Sequence, residues 1–423
     1  MPDDLNRNFT NLARLDIPGG GQVTVSGNHC FVGHMNAPHG TTIVDISDPR
    51  NPRIASQIML DDLGSHTHKV RVVGDIMVVN YEQNQRHFKR KSEGIAEFES
   101  AYRKSRGTDP SDSEIAEFLG VKASDIPTLR KHAAEGYDMG GFRIYDVKDK
   151  ANPRLLCHKK THGFGVHRFD MDENYLYMST EMPGYVGNIL VAYSYADPSN
   201  PQEVGRWWMP EQENHDNARP TWKGYEKRLH HGLRFGDEMW AACWHAGFRI
   251  LDISDVGAIR TIGSHDYHPP GQSPTHTILP LPGLRQGRRF AAVCDEEHAH
   301  RPGQLPAHIW LFDVTDPADI KPASTFHVSE LDSPYARSGG RFGAHQFQEV
   351  VTGDVLFTAW FSAGLRAIDV SDPYRPTEVG HYIPRPTGGN RYPQSNDVFV
   401  DPRGVVCLMD RHEGLDLLEF GAN

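Results

Sequence analysis

The segment TTIVDISDPRNP (41–52) decides the architecture, because it recurs. Its copies are FRIYDVKDKANP (142–153), LVAYSYADPSNP (190–201), FRILDISDVGAI (248–259), IWLFDVTDPADIKP (309–322) and LRAIDVSDPYRP (365–376), with a weaker LDLLEF at 415–420. Each is a short apolar run, then Asp, then a turn built on Ser/Thr-Asp-Pro. Proline presets φ at the second turn position, and Asp and Ser side chains bond the nearby backbone. Each copy therefore predicts strand, tight turn, strand.

Working outward, a second strand pair precedes each phrase. Examples are KVRVVGDIMVVNY (69–81), RFDMDENYLYMST (168–180), GLRFGDEMWAACW (232–244) and FQEVVTGDVLFTAWF (347–361). Each unit thus holds four strands, the content of a propeller blade. Such pairs begin near residues 22, 69, 168, 232, 277, 346 and 397, and the last unit stops after its third strand. NLARLDIP (11–18) has the pattern of a fourth strand. The expected fold is all-β: a seven-bladed β-propeller closed by the N-terminal strand, leaving no open sheet edge. The repeat resembles the LVIVD-repeat family of seven-bladed β-propellers over nearly the whole chain. That resemblance implies a fold, not an activity.

The chain has 423 residues, 23% of them charged, and a net charge of −11. This balance argues against nucleic-acid or anionic-membrane binding, which needs a basic face. No apolar run is long enough to span a bilayer, and MPDDLNRNFT (1–10) is not a secretory leader. The five cysteines are odd in number and mostly lie in apolar runs, so they read as core residues in a reducing cytoplasm.

The compact DPxNP phrases and most short turns fall at one rim of such a propeller. The long connections, including 83–140, 209–229, 296–307, 328–343 and 383–394, fall at the other, where binding sites usually sit. The expected organisation is a propeller at 1–82 and 141–423 with a helical insertion at 83–140 in the second blade. Ser111 or Ser113 ahead of Glu114 and Glu117 gives a capping signal. SDSEIAEFLGVKASDIPTLRKH resembles a DNA-binding helix-turn-helix, but the insertion has no basic surface. A lid over the site, or a contact for homo-oligomerisation, fits it better.

The 24 histidines demand an account. Aligning the first strands places His68, His167, His231, His276 and His345 at one position, with Asn396 in the last unit. Five equivalent imidazoles would converge on the axis at the loop-rich rim. Fourteen residues on stand Glu82, Glu181, His245 and Asp410. Allowing for a longer turn, Glu296 follows His276, and His34 fills this place in the first unit. Neutral imidazoles bind transition metals through one nitrogen while the other donates to an orienting group. The expected metal ligands are His68, His167, His231, His276 and His345. Glu82, Glu181, Glu296, Asn396 and Asp410 would support them. His66, His230 and His245 are candidates for proton transfer. The recurring Arg143, Arg249 and Arg366 read as blade-to-blade ties rather than substrate clamps. A polar channel inherited by duplication, with the propeller serving as a noncatalytic interaction scaffold, is the competing reading.

An axial multi-histidine site with outer carboxylates resembles the four-histidine iron centre of carotenoid-cleaving oxygenases. It is also similar to the copper propellers of the methanethiol oxidases and to the manganese propellers of the oligogalacturonate lyases. These resemblances imply a metal-dependent oxygenase or oxidase acting on a small organic substrate, with Fe(II) favoured and Cu, Mn or Zn as alternatives. A lyase or hydrolase using the metal as Lewis acid is the runner-up.

Overall fold

In a computed structural model the described residues are 5–214, 226–268 and 273–421. Of the loop at 209–229, residues 215–225, including His215, lie outside them.

The described chain is built from antiparallel four-stranded units. In the first, Gly20–Ser26, His29–His34, His39–Asp45 and Arg53–Met59 pair in chain order. The next runs Val70–Val73, Ile76–Gln83, Gly141–Asp146 and Arg154–Lys160. The same order repeats from His162–Met171, Lys227–Phe235, Thr275–Pro280 and Gln346–Phe347. At the end, Ser395–Val400, Val405–Asp410 and Glu413–Phe420 are joined by the N-terminal Phe9–Pro18, antiparallel to Glu413–Phe420. The first strands of successive units touch, and Ser395–Val400 touches Gly20–Ser26.

The repeated phrase works as its chemistry predicts. In the first copy Ser47 N donates to Asp45 Oδ1 at 2.9 Å, and Arg50 N donates to Asp48 Oδ1 at 3.0 Å. The pattern recurs at Asp146 and Asp149, Asp252 and Asp255, and Asp369 and Asp372. Each Asp satisfies a turn N–H that would otherwise face water unpaired. The next residue ties this turn to the unit's first hairpin, as Val147 N does to Asp75 O at 2.8 Å.

Apolar side chains fill the space between neighbouring units. Cys30, Val32 and Val44 pack with Cys407, Met409 and Leu417, and all five cysteines are free thiols. Arg143 pairs with Asp61 and lies over the Tyr81 ring, and Arg366 pairs with Glu378. Arg249 donates to the carbonyls of Ala246 and Phe248. All three are structural ties.

Between Ile76–Gln83 and Gly141–Asp146 lie the helices Arg86–Lys89, Ile95–Arg106, Asp112–Leu119 and Ile126–Glu135. They share a core of Ile95, Ile115, Ala116, Ile126 and Leu129. Ser111 and Glu114 form a reciprocal capping box, so Ser111 is the cap. Arg90 pairs with Glu181 and stacks on Phe164, and Tyr137 Oη lies 2.6 Å from Ser65 Oγ. These contacts press the insertion onto the strands that carry Ser65, Phe164 and Glu181. No described helix is long and apolar enough to cross a membrane.

Candidate metal centre

A one-residue bulge near the start of the first strand builds the site. Pairing goes from Val166–Thr180 to Arg168–Ser179, skipping His167. It goes from Thr275–Asp295 to Thr277–Cys294, skipping His276. Asn396 and Gly21 are skipped in the same way. A bulged residue leaves the ladder and its side chain is re-aimed. His167 and His276 thereby enter a cavity of about 840 Å³, which His66, His68, His230 and His345 also line.

This register decides between His230 and His231. His231 pairs with Ala242 just as Arg168 pairs with Ser179, so His230 is the counterpart of His167. His231 does not line the cavity. It points into a buried layer with Lys69, Arg168 and Gln346, its Nε2 3.7 Å from Glu349 Oε1.

The imidazoles form an arc. Ring centroids are 4.8 Å apart for His167–His230, 4.3 Å for His230–His276 and 4.4 Å for His276–His345. In four of them Nδ1 is committed as a donor. His167 Nδ1 donates to Glu82 at 3.1 Å, and His230 Nδ1 to His276 O at 2.8 Å. His345 Nδ1 donates to Asn396 O. His276 Nδ1 donates to Thr277 Oγ1 at 2.8 Å, since that hydroxyl is itself spent on Gln346 Oε1. Each neutral ring then offers a lone pair at Nε2. His167 Nε2 and His230 Nε2 face each other at 3.0 Å, with no proton of their own between them. Cationic donors reach two of the four: Arg86 Nη2 lies 3.3 Å from His167 Nε2, and Arg168 Nη2 lies 3.0 Å from His276 Nε2.

His68 is wired the other way. Asn80 Oδ1 accepts from Lys69 N, so its Nδ2 donates both to Val166 O and to His68 Nδ1. The proton of a neutral His68 is then on Nε2, facing Glu82 at 3.9 Å. His66 has an oxygen opposite each nitrogen, Met35 O at 3.1 Å and Glu82 Oε2 at 3.0 Å.

The acids divide by position. Glu82 sits behind His167 and fixes its tautomer. Glu296 instead lies on the lone-pair side, 3.9 Å from the Nε2 atoms of both His276 and His345, where a ligand rather than a supporting group would be. Two trios, His66–His68–Glu82 and His230–His276–Glu296, each bring their ligand atoms within 4.8 Å of one another. Glu181 does not line the cavity: Arg90 and Phe164 N hold it. Asp410 accepts from Gln394 N and His412 N and serves a turn, while Arg411 lines the cavity. His34 lies between Pro18 O and Thr42 Oγ1. His245 accepts from Glu226 N outside the cavity, and Trp244 lines it instead, with a positive φ of 56°.

Burial is the main cause that holds His68, His167, His230, His276 and His345 well below the ordinary histidine value, with nearby cations adding to it. All five are neutral at neutral pH. Burial alone would raise Glu82, but Arg86 and the His66 hydrogen bond outweigh it and hold the carboxyl low. Glu296 is held well down by His298 against the same effect. The donor set is therefore neutral nitrogens beside ionised carboxylates, which suits a divalent transition metal.

The LVIVD repeat family matches residues 20–59 and 350–383. No curated protein matches the chain. Among solved structures, the chain is similar to the C-terminal WD40 domain of Sif2, with TM-score 0.55 and 10% identity over 98% of this chain and 99% of that one. It is similar to a chain of the mitotic checkpoint complex, with TM-score 0.57 and 12% identity over 99% and 94%. U3-55K gives TM-score 0.56 and 8% identity over 97% and 98%. The chain is thus an all-β repeat protein of the β-propeller class. At these identities the likeness concerns the fold alone.

Proposed function

We propose that the chain is a metal-dependent oxidoreductase acting on a small organic substrate, built on a seven-bladed propeller closed by Phe9–Pro18. The pairing of that strand with Glu413–Phe420 and the contact of Ser395–Val400 with Gly20–Ser26 support the closed ring. The observation that carries the metal reading is the 3.0 Å approach of His167 Nε2 to His230 Nε2 when both Nδ1 atoms are already donors. Two facing lone pairs repel unless a cation lies between or beside them; Arg86 Nη2 meets the His167 lone pair at 3.3 Å, and a metal ion would engage both.

The residues that would hold the ion are His167, His230, His276 and His345, with Glu296 within reach of the same face. Fe(II) is favoured, with copper next; a redox-active metal so held would supply one-electron chemistry with oxygen. Glu82, Thr277 Oγ1 and the His276 and Asn396 carbonyls orient the four rings, which keeps each lone pair aimed before any ion arrives. His66, hydrogen-bonded to Glu82, is placed to hold a proton at Nε2. Met35, Leu63 and Trp244 supply apolar wall for an organic body, and the insertion brings Arg86, His87 and Lys89 to the cavity as its cover.

Elemental analysis of untagged protein tests this. Near one iron or copper per chain, lost in His167→Ala/His230→Ala, is the expected result. Zinc or manganese would turn the reading to Lewis-acid lysis or hydrolysis. No metal, and no uptake on reconstitution, would leave a propeller scaffold with a polar channel.

A further inference from the structure

The histidine arc is incomplete, and what fills the gap differs in kind. At the bulge position the last unit carries Asn396 and the first carries Gly21. One shell out, where other units place Glu82 or Glu296, the last unit carries Arg411. Among the described residues, the cavity of a protein with net charge −11 is lined by Lys69, Arg86, Lys89, Arg168, Arg341 and Arg411 but only by Glu82 and Glu296 among acids.

Three of these six cations are answered by acids. Arg86 pairs with Glu82 at 2.8 Å, Arg341 with Glu296 at 3.0 Å, and Arg168 lies 3.8 Å from Glu349. Lys69, Lys89 and Arg411 enter no ion pair among the described residues; Lys69 Nζ donates to Gly21 O at 3.0 Å, and Arg411 Nη1 donates to Asn396 Oδ1 at 3.1 Å. Burial first, and then neighbouring Arg341, push Arg411 down to about 10. Both guanidiniums line one cavity, where Glu296 pairs with Arg341, and the Arg341 guanidinium is held at 4.4 Å over the Phe361 ring.

We propose that Arg411, with Arg341 beside it, binds the carboxylate of a small organic acid, so that the substrate of this cavity is anionic. This rests on the metal reading only for the word substrate; the binding claim stands on the cation excess. A planar guanidinium matches a carboxylate bidentately. A cavity of about 840 Å³ falls in the range that takes small organic molecules, and the Met35, Leu63 and Trp244 walls favour an organic body over a bare inorganic ion. The four histidines of the arc line the same cavity, so an acid anchored at Arg411 would hold its remaining atoms in the space they share.

The test is calorimetric titration of the full chain, chelator-treated and metal-loaded, with benzoate and succinate. Benzamide, succinamide and inorganic phosphate serve as controls. The expected result is that at least one carboxylate binds more than about 10-fold tighter than its amide, with or without metal. Arg411→Gln, which retains a donor for Asn396, should weaken that binding about 10- to 100-fold, and Arg411→Lys should restore part of it. Unchanged thermal melting of both variants secures the comparison. Equal binding of acid and amide, no carboxylate binding, binding of phosphate alone, or indifference to Arg411→Gln would each overturn the proposal. Carboxylate binding by a protein that takes up no metal would uphold the clamp and refute the metal centre. Metal uptake with binding indifferent to Arg411 would do the reverse.

Discussion

Acid should unfold the metal-free protein through its histidine arc. His167, His230, His276 and His345 are held well below the ordinary histidine value, first by burial. Unfolded, each returns to about 6.5. The unfolded state therefore binds more protons as pH falls below 6.5, and stability that is full above that value is lost on the way down toward the folded values. At pH 5.5 a single such histidine costs RT ln(1 + 10), about 1.4 kcal/mol, and four together cost about 5–6 kcal/mol. That is comparable to the whole stability of many domains. Urea unfolding of chelator-treated protein at pH 7.5, 6.5 and 5.5 measures it. The midpoint should fall modestly over the first step, by about 1.4 kcal/mol of stability, and steeply over the second, by about 4 kcal/mol. His276→Gln should remove about 1.4 kcal/mol of the pH-dependent loss. A midpoint flat from pH 7.5 to 5.5, or a variant with undiminished dependence, would refute the burial of neutral imidazoles.

Glu82→Gln should weaken metal binding about 10- to 100-fold in a competition titration, because the acceptor behind His167 Nδ1 loses its charge; unchanged affinity would remove Glu82 from the centre. Gly165 has φ of 94°, and a Cβ there would lie 2.2 Å from Tyr81 O. Gly165→Ala should lower the unfolding free energy by more than about 1 kcal/mol and distort the neighbouring His167; a neutral result in a thermal melt would contradict the packing of these strands. Ser111→Ala should cost about 1 kcal/mol, read as faster hydrogen exchange in the helix Asp112–Leu119, with metal affinity untouched.

The repeat was legible because its turn chemistry is local. An Asp that bonds the N–H two residues on needs nothing from the rest of the chain, so the phrase survives in sequence wherever the turn survives in space. The N-terminal strand was legible for a different reason: the last unit lacked a fourth strand, and 11–18 has the pattern of one. The register of the histidines was less so. Alternation alone cannot tell His230 from His231, because a bulge lets two consecutive residues both line a channel at different depths. The signal was present as consecutive polar pairs, His68–Lys69, His167–Arg168, His276–Thr277 and His345–Gln346. Read together, these assign the first residue of each pair to the cavity and make His230 the member of its own pair that belongs there. The same one-residue ambiguity put His245 where Trp244 stands, and a first hairpin one residue longer in the last unit put Asp410 where Arg411 stands. Tautomers lie further from reach: the Asn80 bond that turns His68 round depends on Lys69 N and Val166 O, which only the fold brings together.

In the proposed centre one ion sits among four particular nitrogens. Anomalous diffraction at the metal's absorption edge, from crystals of the metal-loaded protein, would locate it. One peak is expected about 2.0–2.2 Å from Nε2 of at least three of His167, His230, His276 and His345, with His231 and His68 outside the coordination sphere. A peak held by His66, His68 and Glu82, or no peak in the axial cavity, would contradict it.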